Sequence, residues 1–480
     1  MALTARAPSF TDSSTSPKKR EEVEELLQKL RIDLEETNLL PLQRTASLEQ
    51  LKVFSRDVKD ADALYTREAI ETLGKHSFDS NSLSTSREAL RCLANIFLLN
   101  PPTRQMFVDL GFGPKAAERL KVDNRDDEFL VSRILFLMTY NTNLNFEKLV
   151  NDNQLADSIN QPATRKSSTP DPMNAMALAE TLKLMFNINH FYPDLAGTFL
   201  KSLTPLLKML HRTKITSPAL QPPVNYIINA LTNLDFEDKR CGPLSISPLF
   251  PKFDQTANAD HLIHILGRVV DDYKDSELDA SASPVLALVR KVYEIAPENV
   301  RKYMESLLLP SDEERSLVLG KSDTLAAKLL RLSTSPMLPN LRTSIQAMMF
   351  ELSGKDASKF VRNVGYGFAS GFLMSNGISI PANAMEAYSN GDSSSSTRAS
   401  TSTEHASSDS NFPINPITGQ RLDAEAEVKD DRPPMTDEEK EREAERLFVL
   451  FERLKATGIM DVENPVRTAV ESGRIEELPD

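Results

Sequence analysis

Tryptophan is absent from this chain, and cysteine occurs only twice, as Cys92 and Cys241. Both cysteines lie in or beside apolar helical stretches, which reads as buried free thiols and not as a disulfide framework. No stretch approaches the roughly 18 apolar residues that a membrane-spanning helix needs. The opening residues, Met1 to Pro8, lack the apolar core of a secretory signal. Cytoplasm is therefore the expected location. Catalytic motifs are missing too: there is no HExxH, GxSxG or paired CxxC. Gly320-Lys321-Ser322 matches the end of a phosphate loop, but Arg315 stands where that loop needs glycine. His261 and His264 have no Cys or carboxylate at metal-ligand spacing. The spacing of Gly365, Gly367 and Gly371 is wrong for a dinucleotide turn and predicts close helix packing instead. Neither catalysis nor a metal or cofactor is expected. Net charge is −13, and residues 421–480 hold ten Lys/Arg against eighteen Asp/Glu, a balance that argues against nucleic acid as the partner.

What the chain does have is a repeated asparagine. Asn95, Asn141, Asn187 and Asn233 follow one another at intervals of 46 residues, each after an apolar stretch. A large apolar residue (Leu90, Phe136, Leu182, Ile228) precedes each by five positions. A period in the forties with helical spacing marks armadillo or HEAT units, two or three helices each. One such unit cannot bury its apolar face alone, so neighbours stack. The predicted fold is all-α: an armadillo/HEAT-like, right-handed superhelical solenoid with a tethered C-terminal helix. Such a solenoid grips another protein. The repeated Asn has two readings. Its amide can hydrogen-bond a bound segment from the groove, or satisfy groups in its own or the neighbouring repeat. Asn143 and Asn189, two positions further on, admit the same two roles. Beyond residue 240 the period loosens, and Glu294 and Glu351 stand where Asn is expected.

Composition divides the chain further. Residues 1–18 read as a disordered tail, 19–380 as the solenoid, 381–434 as a flexible linker, 435–458 as an amphipathic helix and 459–480 as an acidic tail. Within the solenoid, residues 160–172 read as a mobile loop. Twelve of the nineteen residues 392–410 are Ser or Thr, too polar to offset chain entropy; Thr401 with Glu404 either suits an acid-directed kinase or belongs to an unmodified spacer. Thr436 with Glu439 forms a capping box, and Gly458 is a natural stop. Leu447, Phe448, Leu450, Phe451 and Leu454 give the last helix a strongly apolar side that must dock on something. That something is either the chain's own solenoid or a partner protein.

Several segments resemble one family in the right order along nearly the whole chain. They are Leu51–Asp57, Arg91–Asn95, Leu184–Ile188, Lys359–Gly371, Asn415–Gln420 and Met435–Ala444. The family is synembryn, the resistance-to-inhibitors-of-cholinesterase proteins. The resemblance implies an armadillo-type protein that binds heterotrimeric G-protein α subunits, GDP-bound or nucleotide-free. It implies release of GDP by binding, without catalysis, and assistance to α-subunit folding. It also implies a groove for the α subunit's C-terminal helix, with Lys52 and Arg56 supplying charge and Asn95 a hydrogen bond. Asn141, Phe186, Asn187 and Asn233 extend that groove by repeat position, and the tethered helix is expected on the switch region. Lys52 stands where the family often has Arg, so a bidentate contact becomes a point charge. Recruitment to the plasma membrane would come through the α subunit. The competing expectation is a passive armadillo adaptor that reads a peptide without exchange activity, although the missing Trp counts against it.

Overall fold

The computed structural model describes residues 16–164, 171–236, 248–379 and 412–427, with Thr436, Lys440 and six helical positions between Arg442 and Val449. It comprises two units, one ending at Gln420 and one beginning at Arg421. The fold is all-α, and no strand occurs among the described residues.

Helices start where the sequence supplies acceptors for their orphan amides. Asn124 accepts from the Asp126 and Asp127 amides at 3.0 and 3.2 Å. Asp126, Asp127 and Glu128 then sit at the positive end of the helix dipole. Thr66 and Asp171 cap their helices in the same way. Apolar residues at helical spacing turn inward: Leu90, Leu93 and Phe97 are fully buried, each contributing about 1.5–3 kcal/mol.

Seven helices form a ladder in which each packs on the next: Pro41–Phe54, Leu83–Leu99, Arg125–Met138, Pro172–Phe191, Val224–Asn233, Asp275–Ile295 and Pro339–Leu352. Shorter helices such as Arg67–Phe78, Leu203–Arg212 and Glu298–Leu308 flank them, and one continuous apolar core runs through the stack. This is the solenoid architecture expected of units that cannot close alone.

Three expectations change. The segment 160–172 is not simply a loop: a helix runs Leu155–Thr164 with Pro162 inside it, and residues 165–170 lie outside the described set. The first helix begins at Ser16, ahead of position 19. The stretch 381–434 contains a docked piece, because Phe412–Gln420 lies against the last helices of the first unit. There the Tyr366 amide donates to the Pro416 carbonyl at 2.8 Å and the Gly367 amide to that of Ile417 at 3.1 Å. Gly365 has φ +79°, and a Cβ on it would stand 2.7 Å from the Thr418 carbonyl carbon. Gly365, with Gly419 facing it at φ +73°, thus permits the two backbones to approach, and the expected helix packing is replaced by this contact.

Cys92 is a buried free thiol whose pKa burial drives up; Cys241 lies outside the described residues. No described helix is long and apolar enough to cross a membrane. His261 stacks on His211 with centroids 4.4 Å apart. No group of three or more metal-ligating side chains occurs among the described residues.

Candidate functional site

The repeated asparagines bind the ladder to itself. Asn95 Nδ2 donates to Ser55 Oγ at 3.0 Å, and Ser55 donates to the Lys52 carbonyl at 2.8 Å. Asn187 Nδ2 donates to Thr139 Oγ1 at 2.7 Å, and Thr139 donates to the Phe136 carbonyl at 2.6 Å. Asn363 repeats the relay through Ser353 (3.0 Å) to the Met349 carbonyl (2.8 Å). In each case an amide reaches back to a hydroxyl at the end of the preceding ladder helix, and that hydroxyl donates to a carbonyl in the helix's last turn. Asn233 makes the link directly, to the Phe186 carbonyl at 3.4 Å.

Where the 46-residue period loosens, the link persists with other chemistry. Lys291 donates to the Thr232 and Leu234 carbonyls at 3.0 and 2.5 Å while lying 4.6 Å from the Phe236 centroid. Burial lowers its pKa. Glu351 reaches back to Arg290 as a two-point ion pair at 3.0 and 2.6 Å. Asn141 is the exception. The helix before it ends at Met138, and Asn141 sits beyond it, exposed, with φ +57°. Asn tolerates this left-handed conformation better than most residues, so it serves chain reversal. Asn143 is exposed and exchanges hydrogen bonds with Gln105, at 2.7 Å to its side chain and 3.0 Å from its amide. Asn189 is buried, and neither of its side-chain amide atoms has a partner among the described residues.

Charged side chains run across the first three ladder helices. Lys52 Nζ meets Glu88 at 2.5 Å, and Glu88 also holds Arg91. Arg91 and Arg87 reach Asp126 at 3.6 and 3.2 Å, and Asp127 takes Arg87 and Arg119 at 3.0 and 2.9 Å. Arg56 stands exposed, with no side-chain partner among the described residues. Lys52 is thus spoken for in part, whereas Arg56 keeps its charge open.

Beyond this network lies an aromatic row of which the sequence had pointed only to Phe186. Phe136 meets Tyr140 edge-on at 5.4 Å, Tyr140 meets Phe191 at 5.9 Å, and Phe191 meets His190 at 5.0 Å. Phe186 stacks on His190 at 6.1 Å. Lys183 lies 5.2 Å from the Phe136 centroid and 5.9 Å from that of Tyr226, tying three ladder helices together. Tyr140 is 38% exposed and Phe191 46%. Exposed aromatic rings beside charge are what a partner's apolar helix face would cover. The available signal was aromatic residues four and five positions apart at helix ends, which looks like core until the fold leaves it outside.

In the second unit, the Lys440 amide donates to the Thr436 carbonyl at 3.0 Å, as at a helix start. Phe448 is half-buried and Val449 exposed, both helical. Leu447, Leu450, Phe451, Leu454 and Thr401 lie outside the described residues.

A family model described as "Guanine nucleotide exchange factor synembryn", Ric8, matches residues 47–474. The chain belongs to the Ric8 family. Among relatives of this Ric8 chain, a synembryn-like chaperone of Schizosaccharomyces pombe is 33% identical, over 40% of this chain and 35% of its own length. Chaperone Ric-8A of Bos taurus is 23% identical over 93% of this chain and 86% of its own, and that of Danio rerio 25% over 90% and 84%. Among solved structures, a designed armadillo repeat protein aligns with TM-score 0.39 and 13% identity, over 56% of this Ric8 chain and 99% of its own.

Proposed function

We propose that this chain is a folding chaperone and guanine nucleotide exchange factor for heterotrimeric G-protein α subunits. The observation that carries this reading is the Ric8 family match over residues 47–474, together with relatives named as chaperones. Exchange on a GTPase needs no acid, base or nucleophile from its activator. It needs tighter binding to the open, empty state than to the closed GDP state. Nucleotide and activator then weaken each other by the same factor.

In this reading Arg56, Lys52, Phe186 and the Tyr140–Phe191 aromatic row receive the α subunit's terminal helix. Asn141 offers a further exposed amide. Asn95, Asn187 and Asn233 hold the ladder helices in register beneath that surface. The apolar side at Leu447, Phe448, Leu450, Phe451 and Leu454 supplies a second grip, and two weak grips on one chain add through effective concentration. The same contacts cover apolar surface on an incompletely folded α subunit, which is the chaperone activity.

The test is release of labelled GDP from a purified α subunit with and without this protein. Acceleration, with a nucleotide-free complex that GTP dissolves, is the expected result. Binding without acceleration leaves chaperoning alone, and absence of binding to every α class overturns the reading. Leu447→Ala with Phe451→Ala should slow exchange while the first unit stays folded.

A further inference from the structure

A cleft of ≈ 220 Å³ opens between the ladder helices Val224–Asn233 and Asp275–Ile295. Its chemistry is unusual because its polar groups are unspent. Asn225 and Asn229 lie one helical turn apart and both line it. Among the described residues the Asn229 side chain makes no hydrogen bond, and the Asn225 side chain uses only its Oδ1, accepting from the Tyr226 amide at 2.8 Å. On the opposite wall, Pro284 sits inside the second helix and has no N–H to give the carbonyl of Ala280, four residues back. Ala280 and Ser281 face the cleft. Tyr273 accepts from the Leu220 amide at 3.3 Å, which leaves its own hydroxyl hydrogen available. The site thus presents donors (the Asn225 and Asn229 amides, Tyr273, Ser281) and acceptors (Asn229 Oδ1, the Ala280 carbonyl) side by side.

None of the described lining residues is charged, so none of them rewards a phosphate, a carboxylate or a cation. A neutral ligand offering donors and acceptors in alternation fits, and a polypeptide main chain is that ligand. Side chains at i and i+4 of a helix are about 5–6 Å apart, close to the ~6.6 Å two-residue repeat of an extended chain. The apolar floor at Leu220 and Ile228 takes one side chain.

We propose that this cleft holds the main chain of an extended, uncharged segment of a client polypeptide. The inference rests on the chaperone reading and deepens it: a site that reads backbone takes a client before its side chains have packed.

The test uses the full chain with ¹⁵N-labelled asparagine side chains. The probe is a blocked, uncharged twelve-residue peptide of Ala and Val with one Leu, compared with its backbone N-methylated analogue. The expected result is movement of the Asn225 and Asn229 side-chain resonances by the peptide and not by the analogue. Asn229→Ala should weaken binding by up to about tenfold. Pro284→Ala restores a helix hydrogen bond to Ala280, so it should weaken binding several-fold while raising the melting temperature. A merely structural proline would not couple those two changes. Equal binding of the methylated analogue, or unmoved resonances, overturns the proposal. So does saturation of the site by a peptide of residues 380–411 of this same chain, which would make the occupant internal. A chain that accelerates GDP release yet ignores the peptide loses this inference alone. One that binds the peptide but acts on no α subunit loses the client and the proposed function together.

Discussion

The guanidinium of Arg315 donates to the carbonyl of Gly419, 104 residues further along the chain, at 3.0 Å. It also meets the carbonyls of Arg362 (3.1 Å), Asn363 (2.8 Å) and Pro310 (3.4 Å). Burial lowers its pKa to about 10, so it stays charged at neutral pH. One buried cation thereby serves four carbonyls and ties the Asn415–Gln420 loop to the last helices of the first unit.

Arg315→Met should cost about 3 kcal/mol or more, because unsatisfied buried acceptors are expensive. Hydrogen exchange should show the amides of Tyr366, Gly367 and Gly419 losing protection first. Gly365→Ala should give the same local pattern, since its Cβ meets the loop backbone. Unchanged protection in both variants would remove Arg315 as the anchor.

Asn187→Ala should destabilise by about 1–3 kcal/mol, because Asn187 is 2% exposed and Thr139 loses its donor. Asn95→Ala, half-buried, should cost about 1 kcal/mol. Chemical denaturation checks both. Asparagines kept only for a partner would leave stability unmoved.

Tyr140→Ala with Phe191→Ala removes half-exposed rings, so the fold should survive. Affinity for an α subunit, measured by titration calorimetry, should fall at least tenfold if these rings are central to the contact. Circular dichroism separates this from unfolding.

Stability should decline on mild acidification. His76 is buried, and that burial lowers its pKa despite the Leu30 carbonyl at 2.9 Å and the nearby Asp33. His261 is lowered by burial and then by His211. A lowered folded pKa means that the unfolded chain takes up the proton first. The contribution is therefore complete above about pH 6.5 and is lost as pH falls through the lowered values. At Asp33 burial pushes upward, but the Arg44 guanidinium and the Leu39 amide outweigh it, so its contribution disappears only at lower pH, below about 4. His76→Gln should flatten the difference in denaturation midpoint between pH 7.5 and 5.5.

The helices and their inward faces were legible, because Leu90, Leu93 and Phe97 obey a local period and Asn124, Thr66 and Asp171 mark starts by their own chemistry. The asparagine period pointed to the right architecture but not to one role at every member. Asn95 and Asn187 join the relay while Asn141 does not, since the helix before Asn141 stops three residues earlier. Apart from Phe186, the aromatic row was invisible for a related reason. Phe136, Tyr140 and Phe191 have the spacing of core residues, and only the stacking of helices leaves some of their faces in water.

Sequence by itself determined the all-α class, the stacking of repeats and the family, because these follow from periodicity and ordered motifs within short windows. Tertiary structure alone decided which amides are used and which are spare. Asn187 finds Thr139 48 residues away, while the Asn229 side chain finds no partner among the described residues. It also decided that Arg315 closes on Gly419. Such pairings depend on how neighbouring layers are offset, and that offset is set by the packing of whole helices.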